Sequence, residues 1–248
     1  MKLGKLITLG FGIGTAAAAL MLAAGDAQAV SITVGFAGNE ASFRTLTDAD
    51  PGLGCASAGS EGQMSCVGSG YNTGANWSLD DWSLFVDPDP TINNVFSVTN
   101  NTAGTQSFVV TVTLPSAISF GPPSLIRGSI QGGATDNNFN GVTLSNTGAT
   151  SIYDGLIDGV SVRTLFDDPT TASGPGSVSL GAASFGIPVQ ESVFVATTTS
   201  IALTLRFDLS AGDSASFTSV FDVQPVPEPG TALLLGLGLA GLATRRRS

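Results

Sequence analysis

Between residues 30 and 226 no stretch of this chain carries apolar residues at helical spacing, while segment after segment alternates apolar and polar with a period of two. The run from Val30 to Phe36 is the first, and the run from Ser107 to Leu114 is the most regular. A side chain that faces inward at every second residue belongs to a sheet, and a sheet buries its apolar face only against another layer. The pattern therefore predicts an all-β body, a β-sandwich or jelly roll. Further strands are expected at 41–46, 82–86, 95–99, 125–130, 141–145, 151–153, 159–165, 177–185, 192–198, 200–209 and 214–223. The turn residues Asn100 to Gly104 separate two strongly alternating runs, which predicts that 95–99 and 107–114 pair as a hairpin. From Asp48 to Gly74 the alternation is lost among Gly, Ser and Ala, which predicts a long loop.

Charge narrows the function. The same span holds 17 Asp and Glu against 4 Arg, with no Lys and no His, a net charge of −13. Such a surface repels phosphate backbones, so nucleic acid is not an expected partner, and it repels anionic lipid headgroups as well. Without His or Lys in the body, a Ser-His-Asp site, a Cys-His site, a lysine-based phosphate loop and a histidine metal site are all excluded. No enzyme activity is expected.

Several residues remain as candidates. Cys55 and Cys66 are the only cysteines and are expected to form a disulfide that ties down the long loop. Asp136, Asn138 and Asn140, followed by Gly141, match the opening of a calcium loop, with oxygen ligands at positions one, three and five and glycine at six. The acid expected at position twelve is replaced by Thr147, so calcium binding would need Asp154 or another distant acid, and an Asn-rich turn explains the same residues. No other cofactor is expected. Tyr71, Trp77 and Trp82 lie close together in sequence and offer flat faces for sugar stacking, or else pack in the core. Acids such as Asp81 and Glu191 are the candidates for a glycosidase pair, although Asp80-Asp81, Asp87-Pro88-Asp89 and Asp167-Asp168-Pro169 also read as solvated turns.

The two ends carry different signals. Lys2 and Lys5, an apolar stretch from Leu6 to Ala24, and the small-x-small sequence Ala27-Gln28-Ala29 form a secretory signal peptide over residues 1–29, with cleavage before Val30. The body then occupies 30–224. The last segment, 225–248, contains Pro227-Glu228-Pro229, an uncharged run from Gly230 to Thr244, and Arg245-Arg246-Arg247. Two fixed prolines forbid helix at the start, the uncharged run favours a single short transmembrane helix, and the arginines stay in the cytoplasm. The run gives about 22 Å of helix against a hydrocarbon core of about 30 Å. A segment that short suits transient retention better than permanent anchorage.

The order of these three parts resembles the PEP-CTERM sorting signal, also known as the ice-binding protein C-terminal domain. The resemblance implies a bacterial export whose partners are the export machinery and an exosortase-like membrane enzyme. Pro227, Glu228 and Pro229 would be the recognition motif, Gly230–Thr244 the membrane segment and Arg245, Arg246 and Arg247 the cytoplasmic stop. It implies a membrane-held intermediate, then display at the cell surface or release, in association with exopolysaccharide matrix or biofilm. The expected role is a structural or adhesive surface component. The alternatives are a carbohydrate-binding or glycosidase-like secreted protein and a calcium-stabilised binding module. The alternative family name also draws attention to the run Thr197-Thr198-Thr199-Ser200 as an ordered hydroxyl array, although Thr on a strand needs no such role.

Overall fold

The computed structural model describes residues 30–59, 62–72, 76–87, 89–115 and 119–226. The signal peptide, with Ala27 and Ala29, and the tail from Pro227 onward lie outside the described residues. Among those described, no helix is long and apolar enough to cross a membrane.

The strands run in chain order as β1 (Ser31–Phe36), β2 (Asn39–Thr47), β3 (Cys55–Ser57), β4 (Met64–Asn72), β5 (Trp77–Asp87), β6 (Thr91–Asn100), β7 (Gln106–Pro115) and β8 (Ser124–Thr135). They continue as β9 (Val142–Ser145), β10 (Tyr153–Ile157), β11 (Val160–Leu165), β12 (Thr171–Gly174), β13 (Ser177–Phe185), β14 (Glu191–Val193), β15 (Ser200–Leu209) and β16 (Ser214–Pro225). One sheet has the order β11-β10-β15-β7-β1-β2, with β9 against the end of β15 and β12 against β9. The other has the order β13-β8-β16-β6-β5-β4-β3, with β14 beside β13 on the same flank of β8. The two antiparallel sheets form the expected sandwich.

Alternation in sequence becomes alternation in burial. Phe108, Val110, Val112 and Leu114 of β7 face inward, as do Ile201, Leu203, Leu205, Phe207 and Leu209 of β15. A single aromatic layer joins the sheets. Phe36, Phe108 and Phe207 stand opposite one another across β1, β7 and β15, while Phe217, Phe96 and Trp82 do so across β16, β6 and β5. Phe207 meets Phe217 across the sandwich at 4.7 Å between ring centroids. Complete burial of a side chain of this size contributes about 2 kcal/mol.

Three expectations need correction. The runs at 95–99 and 107–114 do not pair with each other. β6 lies between β5 and β16, whereas β7 lies between β1 and β15, so the turn after Asn100 crosses from one sheet to the other. Alternation plus a short turn is satisfied equally by a hairpin and by such an arch, and Asn100 selects the arch. Its carboxamide donates to the carbonyls of Gly104, Leu209 and Ser210.

The stretch from Asp48 to Gly74 is not one long loop. It contains β3 and the nine-residue β4, which extend the second sheet beyond β5. Its alternation is masked because Gly68 leaves the space that Trp82 fills. A Cβ on Gly68 would stand 2.0 Å from the Trp82 ring. The expected strand 192–198 ends at Val193, while β12 was not foreseen.

Register fixes the two ends of the sandwich. Pro225 pairs with Ser124, Ser200 with Pro115, and Ser31 with Thr113. The first strand therefore begins, and the last strand ends, at one pole. The arches β6–β7 and β15–β16 close the opposite pole.

Candidate functional site

The site is built around the last strand. β16 is ladder-bonded on both sides, to β6 up to Asp222 and to β8 up to Pro225. Pro225, the last residue of β16, has no N–H to donate to a ladder, and the sequence repeats proline at 227 and 229. The chain leaves the sandwich at Val226, next to the first residue of the Pro-Glu-Pro motif. Val30, the expected mature N-terminus, is buried at the same pole, where its carbonyl accepts from the Asp48 N–H.

Polar side chains fasten this exit. Asp222 is buried, and its carboxylate accepts from Arg127 Nε at 2.7 Å, from Thr91 Oγ1 at 2.6 Å and from Gln224 Nε2 at 3.3 Å. One acid thus ties β16 to both neighbours three residues before the strand ends. The Val223 N–H donates to the Pro90 carbonyl. Asp89, Pro90, Phe120, Val223, Gln224 and Pro225 enclose a cavity of about 260 Å³ where the chain departs.

A second anchor lies in the first sheet. Asp158 and Gly159, with φ of 49° and 79°, form the two-residue turn between β10 and β11. Burial is the largest single influence on the Asp158 carboxyl and raises its pKa. The backbone N–H groups of Ser200, Thr198 and Thr199 and the hydroxyls of Thr198 and Thr199 together lower it by more, so the carboxyl lies well below the ordinary carboxylate range. Neither Thr198 nor Thr199 offers a free hydroxyl array, and Thr197 is buried.

The aromatic candidates do not form a stacking platform. Trp77 and Trp82 are buried, and their indole N–H groups donate to the carbonyls of Ser42 and Leu53. Both are inward positions of β5, so core packing is their role, and Tyr71 is half-buried against the same core. The glycosidase pair also fails on geometry. Asp81 is on β5 and Glu191 on β14, four strand spacings apart, or about 19 Å, where such chemistry needs about 5–9.5 Å. Glu191 instead pairs with Arg163 at 3.2 Å.

Asp136, Asn138 and Asn140 do share one turn at the opposite pole. The Asp136 carboxylate accepts from the backbone N–H groups of Asn140 and Gly141, and Asn138 Oδ1 also accepts from the Asn140 N–H. Desolvation raises the Asp136 pKa, but these amides and those of Gly176 and Phe139 leave it below its ordinary value. Asp154, suggested as a completing acid, is engaged with Arg206 and Ser161. Asp213 comes to the loop instead and accepts from the Asn137 N–H. Among the described residues no group of three or more acidic or sulfur side chains converges on a metal position.

Cys55 and Cys66 are directly opposite in β3 and β4 and are joined by a disulfide. Asp80 and Asp167 serve local hydroxyls: Ser78 and Thr99 donate to the first. Donation from Ser151 and Thr164 holds the second below its usual pKa. Sequence reading missed Asp158, Asp222 and Asp213. The Asp-Gly dipeptide between two alternating runs was the available signal for Asp158. An acid inside the apolar run Val220–Val223 was the signal for Asp222.

No curated protein matches the chain. Residues 225–247 match the PEP-CTERM protein-sorting motif, which makes the exit of β16 the start of a sorting signal for export and for processing at the membrane by exosortase-type machinery.

Proposed function

We propose that the sandwich is the non-catalytic cargo of its own tail: a structural or adhesive component held briefly at the membrane, then displayed at the surface or released into an exopolysaccharide matrix. The observation that carries this reading is the position of the sorting motif, whose match begins at Pro225, the last residue of β16. Every strand among the described residues ends by Pro225, so a cut near Pro227–Pro229 would remove none of their ladder partners. The engagement of Asp80, Asp158, Asp167, Asp222 and Glu191 in structural hydrogen bonds or ion pairs agrees with a body that carries no chemistry.

The adhesive part of the reading draws on the outer face of the second sheet. A shallow groove of about 320 Å³ there is lined by Val95, Gln131, Ser179, Ser216 and Thr218, with Gly133 in its floor. Hydroxyl and carboxamide groups without a nearby cation suit a neutral polymer.

The deciding experiment is the intact mass of the mature protein recovered from cell surface and medium. A mass running from Val30 to a terminus near Pro229, with or without an added group, is expected. A mass that continues through Ser248 would overturn the proposal that the tail is a processed sorting device.

A further inference from the structure

We propose that the exit pole of the sandwich rests on the bilayer before processing, with Phe194, Val189, Ile187 and Val160 inserted into the headgroup region. This inference relies on the proposed membrane insertion of residues 230–244.

Chain geometry brings the pole to the membrane. Pro225 is held in the ladder by Ser124, and Gly230 opens the apolar run. Five residue steps separate them, which span no more than about 18 Å when fully extended. β16 itself is about 40 Å long at twelve residues. The body cannot stand clear of the surface, and the pole that meets it is the one where β16 ends.

That pole also carries most of the unexplained apolar surface. Seven large apolar side chains are exposed among the described residues, and four of them are at this end: Phe194 at 85%, Val189 at 78%, Ile187 at 59% and Val160 at 56%. Register places each one. β14 pairs Val193 with Ser124, the residue opposite Pro225, so Phe194 follows the end of β14 at the level where β16 ends, two strand spacings from it. Ile187 and Val189 lie in the connection from β13 to β14, whose flanking residues pair with Gly128 and Ile126, two to four residues along β8 from Ser124. Val160 begins β11 directly after the Asp158-Gly159 turn, which is bonded to the start of β15 at Ser200. The Arg163–Glu191 pair holds β11 and β14 together at this corner. Of the remaining three, Phe139 is at the opposite pole and Val67 and Val95 lie along strands.

Local charge permits the contact although the body is acidic. The acids at the pole are Asp48, Asp50, Asp87, Asp89, Asp158, Glu191 and Asp222; Asp48 and Asp50 follow β2 at the far edge of the first sheet, five strand spacings from β11. Asp222 and Glu191 are paired with Arg127 and Arg163, and both arginines remain about half exposed. Asp158 is surrounded by donors. Asp87 and Asp89 belong to the turn between β5 and β6, three strand spacings from β14. The acids nearest the apolar corner are therefore paired with arginine or held by hydrogen bonds, and Arg127 and Arg163 keep exposed guanidinium surface there.

The test uses the full chain reconstituted in vesicles of phosphatidylethanolamine and phosphatidylglycerol at about 3:1. Three variants each add one tryptophan: Phe194→Trp, Phe139→Trp at the opposite pole, and Leu237→Trp in the tail. Emission from Trp77 and Trp82 in the parent chain is subtracted, and quenching by lipids labelled at shallow or deep acyl positions is read. We expect the added emission of Phe194→Trp to fall at least twofold with shallow labels, that of Leu237→Trp to fall with deep labels, and that of Phe139→Trp to stay near baseline. An unquenched Phe194→Trp beside a quenched Leu237→Trp overturns the resting surface and leaves the tail reading intact. Equal quenching at Phe194 and Phe139 overturns the orientation. An unquenched Leu237→Trp overturns membrane insertion of the tail, and this proposal with it.

Discussion

The side-chain amide of Asn100 donates to the main-chain carbonyl of Leu209 at 3.0 Å, which fastens one sheet-crossing arch to the other. The backbone completes the clamp: Asn100 N–H donates to the Asp213 carbonyl, and Gly212 N–H donates to the Asn100 carbonyl. Because β6–β7 and β15–β16 are the two arches that close the far pole, this one buried carboxamide joins both sheets. Asn100→Ala removes the donors to Gly104, Leu209 and Ser210 and leaves buried acceptors without partners. A loss of about 3 kcal/mol is expected by urea denaturation. Asn100→Asp should be no milder, because a carboxylate supplies no donors.

Asp158 links stability to acid. Its folded pKa is depressed, so its contribution is present above the unfolded value of about 3.9 and is lost as pH falls toward the folded value. Asp136 and Asp167 shift in the same direction. Melting temperature should therefore be flat through neutral pH and fall below about pH 4. Asp158→Asn is expected to cost about 2 kcal/mol at pH 7 through its lost charged hydrogen bonds. The gap between variant and parent should narrow as pH falls toward 2. A gap that stays constant with pH would show that the carboxylate charge is not responsible.

Two glycines make room for the aromatic layer. A Cβ on Gly132 would stand 2.5 Å from Phe217, and one on Gly68 would stand 2.0 Å from Trp82. Gly132→Ala and Gly68→Ala are each expected to destabilise by about 1–3 kcal/mol through overpacking. Gly121→Ala is the control, since a Cβ there meets nothing within 4 Å. It should be neutral or slightly stabilising by thermal melt.

Asn94 is buried among inward positions of β6, and neither polar atom of its carboxamide has a partner among the described residues. Leu84 and Ser219 are its register neighbours. Replacement by a similarly shaped apolar side chain removes an unmet desolvation penalty, so Asn94→Leu should raise stability by about 1 kcal/mol. A lower denaturation midpoint would refute that.

The Asp136 turn closes on its own amides, so removal of calcium is expected to leave the melting temperature unchanged. Asp136→Ala should lower it equally with and without chelator, because the loss falls on the hydrogen bonds to Asn140 and Gly141. A fall in melting temperature on chelation that disappears in Asp136→Ala would restore the cation reading.

The sequence by itself determined what repeats locally. Period-two alternation specified the all-β class and most strands, because a strand's inward and outward positions are set by its pleat. The same held for the tail, where Pro227-Glu228-Pro229, the apolar run and the arginines are legible from composition and order alone. Tertiary structure decided what depends on partners distant in sequence. Nothing local distinguishes a hairpin after Asn100 from an arch, since the choice rests on carbonyls more than a hundred residues away. Nothing local shows that β4 is a strand, because its glycine is matched to Trp82 on the next strand. For the same reason Trp77 and Trp82 proved to be core, Asp81 and Glu191 proved to be far apart, and β16 proved to end at the pole that carries Phe194. Pairing across the sheets decides which side chains share a place, and a sequence read in order cannot measure that distance.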